Sequence, residues 1–148
     1  TATLARRSDG SWLVRNLGAL ATLRLPAALG WPDLDKSQGV VGVRDLPQGR
    51  YVTLDPGHPV ALALAPDRPR GPYVLASNAA VASFRRLGAD TIRFHLRGHI
   101  PVEAEIGGCA GSISVKPTHP GPAAAVTVKG QSVRSPGPDT GELDVSCH

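Results

Sequence analysis

The stretch DTIRFHLRGHIPVEAEI, residues 90–106, decides the fold class. In its first half, apolar side chains alternate with basic ones: Ile92, Phe94 and Leu96 against Arg93, His95 and Arg97. In its second half, apolar residues alternate with glutamates in the same way. A period of two places one class of side chain on each face of a β-strand. The stretch therefore predicts two half-buried strands joined as an antiparallel hairpin.

The apolar residues also predict the register of this hairpin. Pairing Leu96 with Val102 sets His95 opposite Glu103, and cross-strand pairs of opposite charge contribute about 0.2–1 kcal/mol each. We therefore expect the hairpin to be a scaffold with a solvated, internally paired outer face, and we look for a site elsewhere in the chain.

Length and composition indicate a single all-β domain. The 148 residues include 17 Gly and 14 Pro, which are spread between short alternating segments and are typical of turns. About twelve short strands with regular turn signals predict an antiparallel β-sandwich, jelly-roll-like, over residues 1–148. The net charge is +4, but basic residues form no long run and no recognition helix, so nucleic-acid binding is not expected. No apolar run is long enough to predict membrane insertion.

Turn signals place the first strands. Asp9-Gly10 is a strong hairpin signal between the first two strands. Residues 20–25 predict a third strand that stops at Pro26, which lacks a backbone donor, and one helical turn follows. Because the next residues lack alternation, Trp31 is expected in a loop.

The carboxyl-terminal part is expected to be tied by a disulfide. Cys109 and Cys147 are the only cysteines, and neither lies in a pattern typical of zinc sites. Closing this loop of about 38 residues would contribute roughly 4 kcal/mol in the chain-entropy model, and it implies an oxidising compartment. Residues 123–129 predict one strand, and residues 135–148 an extended tail that ends in an edge strand at 142–147. The alternative is one buried thiol and one free terminal thiol.

Common catalytic motifs are absent, so neither an enzyme nor a cofactor is expected. His95 and His99 have the spacing of some metal sites, but four residues of extended strand span about 13 Å, too far for one metal ion. The glycines around Cys109 have the outline of a nucleophile elbow, but a strand follows where an elbow needs a helix. A structural Ca²⁺ on Asp33 or Asp35 is chemically reasonable, although turn-forming roles are favoured for both, and no metal is expected.

Aromatic residues are the best candidates for a binding surface, because sugar rings stack on flat side chains. Trp31 is expected in a loop, and Tyr73 follows Gly-Pro at a strand edge. Asp33 and Asn78 lie near them in sequence and are suited to hydrogen-bond sugar hydroxyls. Trp12 alternates within a strand and is expected in the core. A loop tryptophan that caps the end of a sandwich core is the alternative for Trp31.

The segment WLVRNLGALATLRLPAALGWPDL, followed by GVVGVRD, RYVTLD and PYVLASNAAV, resembles the C-terminal region of secreted bacterial Pel-type exopolysaccharide hydrolase/deacetylase proteins. The likeness covers residues 12–106. In that family the hydrolysis and the metal-dependent deacetylation take place in other domains, and His95 and His99 do not fit the deacetylase metal motif. The resemblance implies an appended periplasmic β-sandwich that holds polymer or docks the catalytic domains.

These observations predict a non-catalytic, periplasmic or secreted carbohydrate-binding accessory module that holds an amino-sugar exopolysaccharide, the matrix polymer of a biofilm, near neighbouring catalytic domains. The alternative is a structural or protein-interaction β-sandwich that docks catalytic domains or an assembly protein. A deacetylated amino-sugar polymer is cationic, and a domain with a net charge of +4 would repel it unless acidic residues cluster on one face.

Overall fold

β-Strands and two single-turn 3₁₀ helices make up the regular structure of the chain in a computed structural model that describes residues 2–16, 22–55 and 59–148. α-Helices are absent from this described part, and all strand pairs in it are antiparallel. The prediction of an all-β fold is confirmed. The chain forms two units, residues 1–69 and residues 70–148. The assignment of residues 1–148 to one domain stays a prediction.

In the first unit (residues 1–69), the described residues form three small sheets, in the orders β1-β2-β7, β3-β6-β5 and β4-β8. Its strands are β1 (Ala2–Arg6), β2 (Trp12–Asn16), β3 (Thr22–Leu25), β4 (Trp31–Pro32), β5 (Val40–Leu46), β6 (Gly49–Leu54), β7 (Val60–Leu62) and β8 (Leu64–Ala65). The Asp9-Gly10 hairpin is confirmed, since β1 pairs with β2 across this turn. The third strand ends before Pro26 and a 3₁₀ turn follows at Ala27–Leu29, both as predicted. Its predicted start, residues 20–21, lies outside the described residues.

The second unit (residues 70–148) consists of two four-stranded sheets, in the orders β10-β11-β16-β13 and β14-β15-β12-β9. Its strands are β9 (Tyr73–Ser77), β10 (Ala80–Arg86), β11 (Thr91–Arg97), β12 (Glu103–Gly107), β13 (Ile113–Pro117), β14 (Thr127–Lys129), β15 (Ser132–Arg134) and β16 (Asp139–Cys147). Both sheets bury one face, as in a β-sandwich. The jelly-roll connectivity stays a prediction.

Alternation sets the buried faces of the second unit. Ile92, Phe94 and Leu96 of β11 are all 0% exposed, and Ala104 and Ile106 of β12 are 1% and 2% exposed. The side chains between them face solvent fully or in part. The period-two prediction of residues 90–106 is therefore confirmed for burial.

The predicted hairpin, in contrast, is wrong. β11 pairs with β10 and β16, whereas β12 pairs with β9 and β15 in the other sheet. The connection between β11 and β12 crosses from one sheet to the other because its backbone hydrogen-bonds to the segment before β16. The amides of Gly98 and Val102 donate to the carbonyls of Pro138 and Gly137. His95 consequently faces β16 and not Glu103.

The carboxyl-terminal strand is also placed differently from the prediction. β16 begins at Asp139 and lies between β11 and β13, so it is an inner strand and not an edge strand. The predicted strand at residues 123–129 is split into a 3₁₀ turn at Pro122–Ala125 and the short β14. Ala123 is buried at 3% exposure and lies against Gly141, where any added Cβ would come within 2.9 Å of the Ala123 Cβ. Because these alanines pack against β16, they form a 3₁₀ turn and are not part of β14.

Cys109 and Cys147 form a disulfide, with their Cα atoms 5.3 Å apart. The bond joins the segment after β12 to the end of β16. The predicted disulfide is therefore confirmed, and it is typical of proteins that mature in an oxidising compartment.

Candidate functional site

Trp31 lies in β4, paired with Ala65 of β8, and the prediction of a loop at this position is wrong. The ladder forms because Gly30, with a φ of 92°, approaches the Ala65 carbonyl so closely that a Cβ at residue 30 would lie 2.5 Å from that oxygen. The guanidinium carbons of Arg50 and Arg68 lie 3.4 and 4.7 Å from the centroid of the indole ring. Such cation–π contacts occupy the surface on which a sugar would stack.

Arg50 is the buried member of this stack, with 7% of its surface exposed. Its Nη1 donates to the carbonyl of Gly30. Its Nε lies 3.3 Å from Asp45 Oδ1 but makes no hydrogen bond, so this contact is ionic only. Because Trp31 covers a buried guanidinium, replacing the indole would affect folding as well as any ligand.

Asp33 has a structural role in a turn. Its Oδ1 accepts hydrogen bonds from the backbone amides of Asp35 and Lys36, at 3.1 and 3.2 Å. An aspartate that bonds to amides two and three residues later forms an Asx-type turn. Asp33 therefore fixes the direction in which the chain leaves β4.

Tyr73 and Asn78 are engaged within the second unit. Tyr73 is 3% exposed, and its ring lies so close to Gly107 that a Cβ there would lie 2.7 Å from Tyr73 Cε2. This burial corrects the expectation of an exposed tyrosine. The amide of Asn78 donates to the Pro101 carbonyl at 3.0 Å and accepts from the Glu103 amide at 2.9 Å. Asn78 therefore joins the β9–β10 turn to the start of β12.

A polar cleft of about 500 Å³ lies elsewhere in the first unit. Three segments line it: the β1–β2 turn, the connection between β4 and β5, and the β7–β8 region. The lining residues are Arg7, Asp9, Gly10, Ser11, Lys36, Gln38, Ala61, Ala63 and Leu64. We call this cavity the polar cleft. It borders the Asp33 turn through Lys36.

Backbone hydrogen bonds hold the walls of the polar cleft. Gln38 and Ala61 exchange two of them, at 2.8 and 2.9 Å. Ser37 Oγ lies 3.3 Å from the Ala63 carbonyl and 3.0 Å from its amide, and bonds to both. The cleft is therefore built on rigid contacts between neighbouring segments, which favours a preformed site.

The side chains of the polar cleft carry both signs of charge. Hydrogen bonds from the hydroxyl and the amide of Ser11 hold the pKa of Asp9 below its ordinary value, so its carboxylate is ionised at neutral pH. Within the described part of the chain, the head groups of Lys36 and Gln38 have no hydrogen-bond or ion-pair partner. Hydrogen-bond donors and acceptors are thus available in the cleft, beside the small apolar side chains of Ala61 and Ala63.

Little in the amino-acid sequence indicates this cleft. Its polar residues come from two separate segments, residues 7–11 and 36–38, and each has the composition of an ordinary turn, as Asp9-Gly10 does. They meet because β7 pairs both with Gln38 and with β2, the strand that follows the β1–β2 turn.

An apolar groove of about 90 Å³ is another concave feature of the described residues of the first unit. Its lining residues are Leu4, Trp12, Leu23, Arg24, Leu25, Pro26, Leu29 and Leu62. We call it the apolar groove. Trp12, expected in the core, is half-buried and forms part of the wall. Leu4 and Leu29 are 52% and 46% exposed, so the groove opens to solvent at these two leucines.

The outer face of the β11–β16 pair carries ion pairs. Arg93 binds Asp144 with two hydrogen bonds, of 2.7 and 3.1 Å, and hydrogen bonding from the Arg93 side chain contributes most to lowering the pKa of Asp144. His95 Nε2 lies 2.6 Å from Asp139 Oδ1. The backbone amide of Gly141 and then His95 lower the pKa of Asp139. The basic residues of β11 are therefore paired within the sheet, although with other acids than predicted.

These two depressed pKa values predict a loss of stability in acid. Each carboxylate stabilises the fold fully above its unfolded pKa, about 3.9, and this stabilisation is lost as the pH falls through the lower folded pKa. We expect Asp144→Asn to reduce the difference in the free energy of unfolding between pH 6 and pH 2.5, measured by urea denaturation. Glu105→Gln, which removes an exposed carboxylate on β12, is the matched control. Equal pH dependence in both variants would contradict the Arg93–Asp144 pair.

The described residues contain no group of three or more His, Cys, Asp or Glu side chains that could hold a metal ion. His95 is engaged by Asp139, and Cys109 is in the disulfide. In residues 2–16, 22–55 and 59–148, neither of the two 3₁₀ turns is long and apolar enough to cross a membrane.

A scan against protein-family models finds no match, and searches of the curated proteins and of the solved structures find no matching relative. The resemblance of residues 12–106 to the Pel-type proteins therefore stays a prediction from the sequence.

Proposed function

We propose that this chain is a non-catalytic carbohydrate-binding accessory module of a secreted polysaccharide-modifying enzyme. The polar cleft carries the proposal. Its volume of about 500 Å³ lies within the range of about 300–1,000 Å³ that is typical of ligand sites. The resemblance to the accessory region of Pel-type hydrolase/deacetylase proteins supports the same class of function.

The chemistry of the cleft suits a ligand with many hydroxyl groups. The Asp9 carboxylate accepts hydrogen bonds, the Lys36 ammonium donates them, and the Gln38 amide does both. Sugar hydroxyls can donate and accept at once, so they match this mixed set. The small side chains of Ala61 and Ala63 leave room for a sugar ring to enter the cleft. The proposed site is therefore displaced from Trp31 and Tyr73, while Asp33 keeps a supporting role by holding the turn that presents Lys36.

Charge favours an acetylated amino-sugar polymer over a deacetylated one. Arg7 and Lys36 face the same cleft as the single carboxylate of Asp9. A deacetylated chain carries ammonium groups, which these two cations repel. N-acetyl groups are neutral, and their carbonyl oxygens accept hydrogen bonds from Lys36 and Gln38.

We expect isothermal titration to detect binding of acetylated amino-sugar oligomers and weaker or no binding of deacetylated ones. The double variant Lys36→Ala/Gln38→Ala should weaken the affinity by about tenfold or more, since it removes a charged and a neutral hydrogen-bonding group. Lys129→Ala, an exposed lysine on β14, is the matched control for the loss of one positive charge.

Three outcomes decide between the sites. Absence of heat with every glycan would overturn carbohydrate binding. Full affinity in the double variant would exclude the polar cleft. If Trp31→Ala alone lost affinity for glycans and kept an unchanged circular dichroism spectrum, the binding site would be at the Trp31 indole in β4.

The disulfide supports a periplasmic or secreted location, because such bonds persist in oxidising compartments. In that setting the module would hold polymer near the catalytic domains of a hydrolase/deacetylase.

The second candidate function is a structural or protein-interaction module that docks catalytic domains or an assembly protein. One observation favours it: the apolar groove is bordered by the exposed Leu4 and Leu29, and open apolar surfaces of this kind mark interaction sites.

A further inference from the structure

We propose that β1 and the apolar groove together accept one extended segment of a partner polypeptide. The segment adds a strand beside β1 and places a single apolar side chain in the groove, next to an acidic residue that faces Arg6. The proposal rests on the second candidate function, docking, and names the partner that would be bound. It does not depend on carbohydrate binding at the polar cleft.

The first observation is the position of β1 at the edge of its sheet. In the sheet β1-β2-β7, β1 pairs with β2 on one side, and no other described strand pairs with it. Residues 4–7 are exposed. An edge strand presents backbone donors and acceptors to any extended chain that aligns with it.

The second observation is the face on which the groove lies. Leu4 pairs with Val14, Arg6 pairs with Trp12, and Trp12 pairs with Leu62. Cross-strand partners point to the same side of a sheet, so the groove residues of β1, β2 and β7 share one face. Every second side chain of a strand added beside β1 would point to this same face. The added strand would therefore extend the sheet and fill the groove at once.

The size of the groove sets the size of the anchor. About 90 Å³ is the space of roughly three water molecules, which suits one aliphatic side chain such as leucine or valine. It is too small for the apolar face of a helix, which needs several anchors one turn apart. The occupant is accordingly an extended segment with one anchor.

The charges around the groove set the chemistry beside the anchor. Arg24 lines the groove, and the Arg6 guanidinium lies 6.0 Å from the ring centroid of Trp12. Arg6 is two residues from Leu4, on the same face, so an acidic residue two positions from the anchor would meet it. If two copies of this chain instead paired through β1, the Arg6 and Arg7 side chains of both copies would lie together at the shared strand edge. Repulsion between these like charges disfavours such a dimer.

The test uses the full chain and a fluorescent peptide, acetyl-Glu-Thr-Leu-Thr-Glu-amide, with anisotropy as the readout. We expect binding that weakens with salt, and at least a tenfold loss when the peptide leucine is replaced by asparagine. Leu29→Asn in the protein should weaken binding by a similar factor, whereas Leu87→Asn, at 40% exposure in the second unit, should leave it unchanged. Hydrogen exchange of the β1 amides should slow when the peptide is bound.

Several results would overturn the inference. The asparagine peptide could bind as well as the leucine peptide, or Leu29→Asn could have no effect. Peptide binding without slower exchange in β1 would exclude strand addition. A dimer in light scattering that Leu29→Asn dissociates would assign the groove to a second copy. Glycan titration of Leu29→Asn should match the unaltered protein, so a failure here is distinct from a failure of carbohydrate binding.

Discussion

Replacing Phe94 by alanine is expected to lower the free energy of unfolding of the second unit by about 3–5 kcal/mol. Phe94 is 0% exposed, and its neighbours Ile92 and Leu96 on the same face of β11 are equally buried. Close packing on all sides prevents the site from collapsing around the missing ring, so a cavity remains. A loss of this size is a large fraction of the total stability of a small domain, which is about 5–15 kcal/mol.

The measurement is urea denaturation followed by far-ultraviolet circular dichroism. Tryptophan emission is unsuitable, because Trp12 and Trp31 both lie in the first unit. Leu87→Ala is the control, since Leu87 is 40% exposed and should change stability by no more than about 0.5 kcal/mol. A loss below about 1 kcal/mol in Phe94→Ala would be incompatible with its position in the core.

The double variant Cys109→Ser/Cys147→Ser is expected to lose roughly 4 kcal/mol. The bond closes a loop with a sequence separation of 38 residues. Without the bond, the unfolded chain has access to more conformations, which stabilises the unfolded state. Reduction of the unaltered protein should cause the same loss, and the variant itself should be insensitive to reductant.

Equal stability of the oxidised and reduced protein would contradict a stabilising disulfide. The reduced protein also serves as a control for the serine side chains. If the variant were much less stable than the reduced protein, the excess would come from burying hydroxyl groups and not from loss of the bond.

The sequence predicted burial better than it predicted strand pairing. Which face of β11 is buried depends on alternation along a few residues, and Ile92, Phe94 and Leu96 follow it. Which strand lies beside β11 depends on competition between distant segments. The acids of β12 and those of β16 both match the basic residues of β11, and alternation alone cannot choose between them.

The candidate sites were harder to predict, because exposure depends on tertiary contacts. Tyr73 is covered where Gly107 permits a close approach, and Trp31 is stacked on Arg50 from another sheet. Neither contact has a local signal in the sequence. The polar cleft requires three segments to meet, although the Asp9-Gly10 turn that forms one wall was predicted correctly.

The inner position of β16 has a consequence for the order of events during synthesis. β11 and β13 both depend on β16 for a neighbour, and β16 is made after them. A nascent chain that ends before residue 139 therefore holds β11 with one unpaired edge and β13 with none of its sheet partners. Long-range pairing of this kind is slow to form, and unpaired edges invite association with other chains. The second unit is thus expected to complete the sheet β10-β11-β16-β13 only after translation has passed residue 147, and to need protection from aggregation until then.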